Sequence, residues 1–217
     1  MTPAQDNHIA TKDATGNPGA GWYTKVIVRV GLYGGSFDPP HIGHLLAATY
    51  ARAVFPIDEV WLIPCHTHAF AKELAPFEHR LAMCEIAAAT LGPWCRANAI
   101  ERDIAEVAGA PSPSRTIDTV RALASRDSEH SFALIIGSDL VNEIPSWHRS
   151  AELSRLCPIH VVPRQPFAAP DAPAIPDVSS TTVRAQLAEG ASIAGLVPHN
   201  VAAYIRRHHL YGATAAP

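Results

Sequence analysis

No run of apolar residues in this sequence is long enough to span a bilayer, which excludes a chain built around helical membrane spans. The first residues lack a basic stretch followed by an apolar one, so no secretory leader is expected and a cytoplasmic location is. The four cysteines, Cys65, Cys84, Cys95 and Cys157, form no CxxC pair and no zinc-knuckle spacing, and free thiols in a reducing compartment are the expectation. Cationic charge is scarce: 17 Lys and Arg face 20 Asp and Glu, a formal net charge of −3. That balance argues against a general nucleic-acid binder, and any anionic ligand must be met by local groups rather than by a global field. Internal repeats and heptads are also missing. The chain does have 217 residues, 47% of them hydrophobic and 17% charged, which suits one α/β domain with a real core.

Residues 1–23 are polar, small and punctuated by Gly and Pro, and read as a flexible extension. A single domain is expected over 24–212, with a C-terminal helical section over about 178–212 and a tail at 213–217. The β-branched run from Lys25 to Tyr33 reads as a buried strand ending in Gly34-Gly35. A helix is expected over Ile42–Val54, before Pro56. Further strands are expected at Glu59–Ile63, Ser131–Ile136 and Pro158–Val162, and further helices at Phe77–Leu91, Thr116–Ser125, Ala151–Leu156, Ser180–Glu189 and Pro198–His209. Residues 163–177 hold five prolines and read as a loop. The alternation implies a doubly wound, mostly parallel sheet with helices on both faces. Ligands of such sheets sit at the carboxyl ends of the strands, near the point where strand order reverses.

The segment Gly34-Gly-Ser-Phe-Asp-Pro-Pro-His-Ile-Gly-His44 follows a strand and opens a helix. Its glycines permit close approach of backbone to a phosphate, and the helix start adds unpaired N–H groups and a positive dipole end. It is neither a GxGxxG fingerprint, which disfavours a Rossmann oxidoreductase, nor a Walker A loop. His41 and His44, three apart at the loop-to-helix junction, can aim both imidazoles at one ligand. Downstream, Ser180 and Thr181 stand at an expected helix N-terminus and Arg184 one turn on, a second place for anions.

GGSFDPPHIGH resembles the signature loop of the HxGH nucleotidyltransferase superfamily, and Val178-Ser-Ser-Thr-Thr-Val-Arg184 resembles its ISSTxIR element. Phe132-Ala-Leu-Ile-Ile-Gly-Ser-Asp139 with Trp147, and the closing stretch Val197–Gly212, are similar to the nicotinate mononucleotide adenylyltransferase family. The resemblance spans about residues 28–212 and implies a Rossmann-like fold. It implies adenylyl transfer from ATP, with Mg²⁺ carried by the nucleotide, to nicotinate mononucleotide. By resemblance, His41, His44 and Arg184 are catalytic. Gly34, Gly35, Ser36, Phe37, Gly137, Asp139, Ser180 and Thr181 join them in binding ATP. Lys72, Thr116, Trp147 and Arg164 bind the acceptor, and no protein metal site is implied.

The chain departs from the family where the acceptor pocket is shaped. Cys65-His-Thr-His-Ala-Phe-Ala-Lys72 replaces a Pro-Pro-His-Lys run, Ser114-Arg-Thr116 replaces Ser-Tyr-Thr, and Arg164-Gln-Pro166 replaces Arg-Pro-Gly. His66-x-His68 reads better as a substrate-facing or surface loop than as half a metal site, there being no carboxylate at ligand spacing. Asp38 stands open between a turn residue and a ligand. Two alternatives remain: the same chemistry on another phosphorylated acceptor such as nicotinamide mononucleotide, and a nucleotide-sensing module without turnover. The expected partners are ATP and a mononucleotide, with no nucleic acid and no membrane. A homo-oligomer is compatible with this size, although the sequence marks no interface.

Overall fold

The computed structural model describes residues 27–67, 74–109, 113–168 and 173–213. The extension assigned to 1–23, Lys72 and His68 in the expected acceptor loop, and tail residues 214–217 lie outside the described residues. Five strands, β1 (Val28–Gly35), β2 (Glu59–Pro64), β3 (Cys95–Ala97), β4 (His130–Gly137) and β5 (Ile159–Val162), form one sheet in the order β3-β2-β1-β4-β5. Every pairing is parallel. The order reverses between β1 and β4, so the carboxyl ends of these two strands, Gly35 and Gly137, flank the switch point.

Side-chain alternation along the strands divides the core. Val60, Leu62 and Ile135 face α1 (Ile42–Val54) and α2 (Phe77–Ala89), which contribute Ala47, Ala48, Ala51, Cys84 and Ala88. Small residues on α1 let its axis approach the sheet closely. Val30, Leu32, Trp61, Ile63 and Leu134 face the opposite layer. That layer is α3 (Ile100–Ala108), α4 (Thr116–Arg126) and α5 (Ser150–Leu156), which supply Ile100, Ile117, Val120, Leu123 and Leu153. In the middle of β1, a Cβ on Gly31 would stand 2.5 Å from Ile135 Cδ1 and 2.9 Å from Ile57 Cδ1. The missing side chain leaves room for those two isoleucines.

A third apolar cluster carries the C-terminal section. α6 (Ser180–Ala188) and α7 (His199–Arg207) bring Val183, Leu187, Val201 and Ile205 against Leu45 of α1 and Met83 and Ala87 of α2. The chain ends on a 3₁₀ turn, Leu210–Gly212. This packing places the start of α6 beside the start of α1, although the two are far apart in sequence.

The expected α/β architecture is present, and the sheet is parallel throughout. Residues Lys25 and Val26 of the expected first strand lie outside the described residues. The reading from sequence did not anticipate β3, α3 or the 3₁₀ stretch Ser138–Ser146. β3 has three residues at a sheet edge, too short for a period to register. α3 does carry signals: Asn98 Oδ1 accepts from Ile100 N–H at 2.9 Å, Ile100 and Ile104 are four apart, and Gly109 ends the helix in the left-handed region. Among the described residues, no helix is long and apolar enough to cross a membrane.

Ile205 is fully buried between α7 and the α1–α2 layer. Ile205→Ala is expected to cost about 2–5 kcal/mol. Urea unfolding should show a lower midpoint with an unchanged slope. A midpoint equal to that of the parent chain would mean that α7 contributes no core packing.

Candidate active site

β1 delivers the chain to its carboxyl end, and the loop Ser36–Pro40 turns it into α1. Phe37 takes a positive φ of 47° and is buried, with its ring centroid 4.7 Å from that of His44. Its side chain supports the histidine from below. Any ligand contact from Phe37 therefore falls to its backbone. His41 is the N-cap of α1, not a residue within the helix, and His44 is the third helical position. The two rings still meet, at a centroid distance of 3.8 Å, because cap and N3 side chains converge at a helix start. Gly43 sits between them, and a Cβ there would stand 3.0 Å from His41 Cε1 and Nδ1. Close approach of the His41 ring is thus the reason for glycine at this point.

The hydrogen bonds assign the tautomer of His44. Its Nδ1 accepts the His41 backbone N–H at 3.1 Å, so a neutral imidazole carries its proton on Nε2. Burial, then Arg164, pushes the His41 pKa down to about 3. Burial, then His41 and Arg164, holds His44 well below its ordinary value. Both rings are therefore neutral near pH 7. His41 Nδ1 is buried without a partner among the described residues, as is Asp139 Oδ1. His41 lines a cleft whose walls also include Tyr33, Gly137 and Arg164, and Asp139 pairs with that arginine.

Two helix starts converge here. At α1 the Ile42 N–H is taken by Leu196 O at 2.8 Å, while no acceptor among the described residues meets the Gly43 N–H. At α6 the cap differs from the expectation that Ser180 and Thr181 supply it. Ser179 is the N-cap, and its hydroxyl accepts the Thr182 N–H at 3.1 Å. A run of consecutive hydroxyl residues makes the cap position ambiguous in sequence, and backbone geometry resolves it. Ser180 instead donates its hydroxyl to Pro39 O at 2.9 Å, pinning α6 to the loop before α1. The Ser180 and Thr181 N–H groups have no acceptor among the described residues and stand at the positive end of the helix.

Guanidinium groups complete the arrangement. Arg164 donates to Val178 O at 2.9 Å and lies 3.4 Å from Asp139 Oδ2. It lines the same cleft as His41 and His44. Arg184 donates from Nη1 to Asp38 O at 2.6 Å and stands 3.6 Å from Asp38 Oδ2. Asp38 is 2% exposed and accepts from Ala75 N–H at 3.1 Å and from Tyr211 Oη at 2.7 Å. It is thus a buried joint, neither a simple turn residue nor an open ligand.

The sequence reading also missed two charged groups. Arg80, 2% exposed on α2, donates to Ala75 O, Ser36 O, Cys65 O and His66 O. Glu101 of α3 accepts the His66 N–H at 2.9 Å and the Thr119 hydroxyl at 3.3 Å, and burial raises its pKa. Between them they clamp Cys65–Thr67 at the end of β2, with Ser114 Oγ accepting from His66 and Thr67 N–H. Arg80 could have been noticed as a charge on the apolar stripe it shares with Met83, Cys84 and Ala87.

Of the residues assigned to the acceptor, Thr116 begins α4 just beyond this clamp, and Trp147 packs half-buried against the Leu153 side of the core. Neither touches the histidine pair. Among the described residues no group of three His, Cys, Asp or Glu could hold a metal ion.

A family model described as cytidylyltransferase-like matches residues 32–186. A probable nicotinate-nucleotide adenylyltransferase of Myxococcus xanthus (strain DK1622) is 43% identical over 196 residues, covering 88% of this chain and 98% of the relative. A protein of the same description from Anaeromyxobacter dehalogenans (strain 2CP-C) is 43% identical over 184 residues, covering 84% and 96%. The structure of Plasmodium falciparum nicotinic acid mononucleotide adenylyltransferase complexed with NaAD superposes with a TM-score of 0.70 at 21% identity, over 87% of this chain and 100% of that one. At that identity the superposition speaks for the fold.

The buried neutral histidines predict an acid-sensitive fold. Unfolded histidine takes up its proton near pH 6.5, whereas His41 in the fold resists until about pH 3. The stabilisation is therefore complete above pH 6.5 and is lost as pH falls towards 3. His41→Gln should flatten the decline between pH 6 and 4 by up to about 1.4 kcal/mol per pH unit. Urea unfolding across that range is the measurement, and parallel pH profiles for parent and variant would contradict it.

Proposed function

This chain belongs to the cytidylyltransferase-like family and, within it, to the nicotinate-nucleotide adenylyltransferases, and we propose that it joins the adenylyl group of ATP to nicotinate mononucleotide. The products are deamido-NAD and pyrophosphate, and the place of the reaction is cytoplasmic NAD biosynthesis. The observation that carries this reading is the meeting of His41 and His44 with the starts of α1 and α6 and with Arg164 and Arg184 at the sheet's switch point.

Two anions must be brought together, so positioning and charge neutralisation dominate the chemistry. An oxygen of the acceptor phosphate attacks the α-phosphorus of ATP in line. The bond from that phosphorus to the bridging oxygen breaks, and pyrophosphate leaves with the electron pair. His44 donates from Nε2 to the α-phosphate as charge builds, a role supported by the backbone bond that occupies its Nδ1. A donor already held in place by the fold is suited to this task because it needs no reorganisation as the charge develops. His41 holds the α- or β-phosphate. Arg184 and the Ser180 and Thr181 N–H groups hold the β- and γ-phosphates. Mg²⁺ carried by the nucleotide would offset part of the phosphate charge. Gly34, Gly35, Ser36 and Phe37 line the nucleotide's path through their backbone, with Gly137 and Asp139 at its ribose. Lys72, Thr116, Trp147 and Arg164 are assigned to the acceptor.

The first test is pyrophosphate release from Mg·ATP with nicotinate mononucleotide and, separately, with nicotinamide mononucleotide. The acid form should be preferred, and chelation of Mg²⁺ should stop release. Equal rates with the two rings would sink the acceptor assignment. His44→Ala should lose about 10²–10³ in turnover, the usual cost of a missing oxyanion donor, with ATP affinity changed less. Turnover near that of the parent would remove His44 from the mechanism.

A further inference from the structure

Beyond α7 the chain turns back through His209 and Tyr211, both non-glycine residues in the left-handed region, at φ of 51° and 59°. Such backbone persists only where its surroundings hold it. The holding contact is from the Tyr211 hydroxyl to Asp38 Oδ1, at 2.7 Å across 173 residues of sequence. The same carboxylate oxygen receives the Ala75 N–H. The other carboxylate oxygen faces Arg184 Nη1 at 3.6 Å, and that nitrogen also donates to the Asp38 carbonyl at 2.6 Å. Asp38 is 2% exposed, so water does not replace a donor it loses.

We propose that Tyr211 is a positioning residue of the nucleotide site, satisfying the buried Asp38 carboxylate so that the Arg184 guanidinium is left aligned for the ATP phosphates. The proposal rests on the assignment of Arg184 to ATP made above. Its direction follows from the bonding. With the Tyr211 hydroxyl present, Asp38 Oδ1 has two donors and Arg184 need satisfy only the carbonyl and the second oxygen. Without it, the buried charge draws harder on Arg184, its one cationic partner within ion-pair distance among the described residues, and pulls the guanidinium away from the phosphates. The aromatic ring packs with the C-terminal apolar cluster and would do so without the hydroxyl. The oxygen atom is therefore what the positioning role requires.

Tyr211→Phe removes that atom alone. Binding of a non-hydrolysable ATP analogue with Mg²⁺, measured by calorimetry on the full chain, should weaken by about five- to tenfold, the scale of one hydrogen bond's usual net contribution. The KM for ATP should rise in step, while the KM for nicotinate mononucleotide should move less than about twofold. In an Arg184→Ala background the same substitution should have no further effect, because Tyr211 acts through Arg184. Unchanged analogue affinity in a folded Tyr211→Phe chain would overturn the proposal, as would an equal loss in the Arg184→Ala background. If circular dichroism shows the Phe variant unfolded, Tyr211→Phe is read on top of Asp38→Asn instead: with the charge gone it should change analogue affinity by less than about twofold, and a loss of about fivefold or more there would overturn the idea. The binding arm needs no acceptor. A wrong acceptor assignment would appear as absent turnover in the parent chain, leaving the ratio of analogue affinities to decide on Tyr211.

Discussion

A single buried carboxylate holds the working parts of this molecule together. Asp38 sits in the loop between β1 and α1, yet it binds the backbone at Ala75, the guanidinium of Arg184 and the hydroxyl of Tyr211. A carboxylate taken out of water must be repaid with donors and an opposite charge, and breaking such a pair one-sidedly is strongly destabilising. Each of those three partners is therefore tied to the signature loop. The loop is in turn held from the other side, where Ser180 reaches Pro39 O and Leu196 O takes the Ile42 N–H. The C-terminal third of the chain forms one wall of the cleft.

The second constraint concerns charge. In a chain of net charge −3, donors and cations are gathered locally at the carboxyl end of the sheet. These are the ends of two helices, Arg164 and Arg184, and two histidines kept neutral by burial. Neutral imidazoles are cheaper to bury than cations and still donate hydrogen bonds. Arg80 is the exception. Its buried charge is spread over the carbonyls of two loops, Ser36 after β1 and Cys65 and Ala75 between β2 and α2, and this fastens the end of β2 to the signature loop.

The fold was legible where periods are long. The apolar run of α1 and the β-branched runs of β1 and β4 stand out, and the Gly pair that closes β1 marks its carboxyl end. Elements of three residues, such as β3, leave no such trace. The site was legible where chemistry is concentrated in contiguous residues, as in Gly34–His44. It was not legible where one residue's role depends on distant backbone. Nothing local to Arg80, Glu101 or Tyr211 announces four carbonyls, a clamped loop or a buried carboxylate as its partner. In the same way, four neighbouring hydroxyl residues cannot show which one caps α6 until the backbone angles of Ser179 are known.

The sequence by itself determined that strands alternate with helices, that a glycine-rich turn carries two histidines into a helix, and that a second hydroxyl-rich helix start carries an arginine. These are local matters, set by propensity, spacing and turn chemistry over a few residues. Only the tertiary structure decided that the two helix starts face one another, that His44 keeps its proton on Nε2, and that Asp38 answers to Tyr211 from the far end of the chain. Those depend on which surfaces the three apolar clusters bring together, and on the requirement that every polar group buried between them find a partner wherever in the sequence it lies.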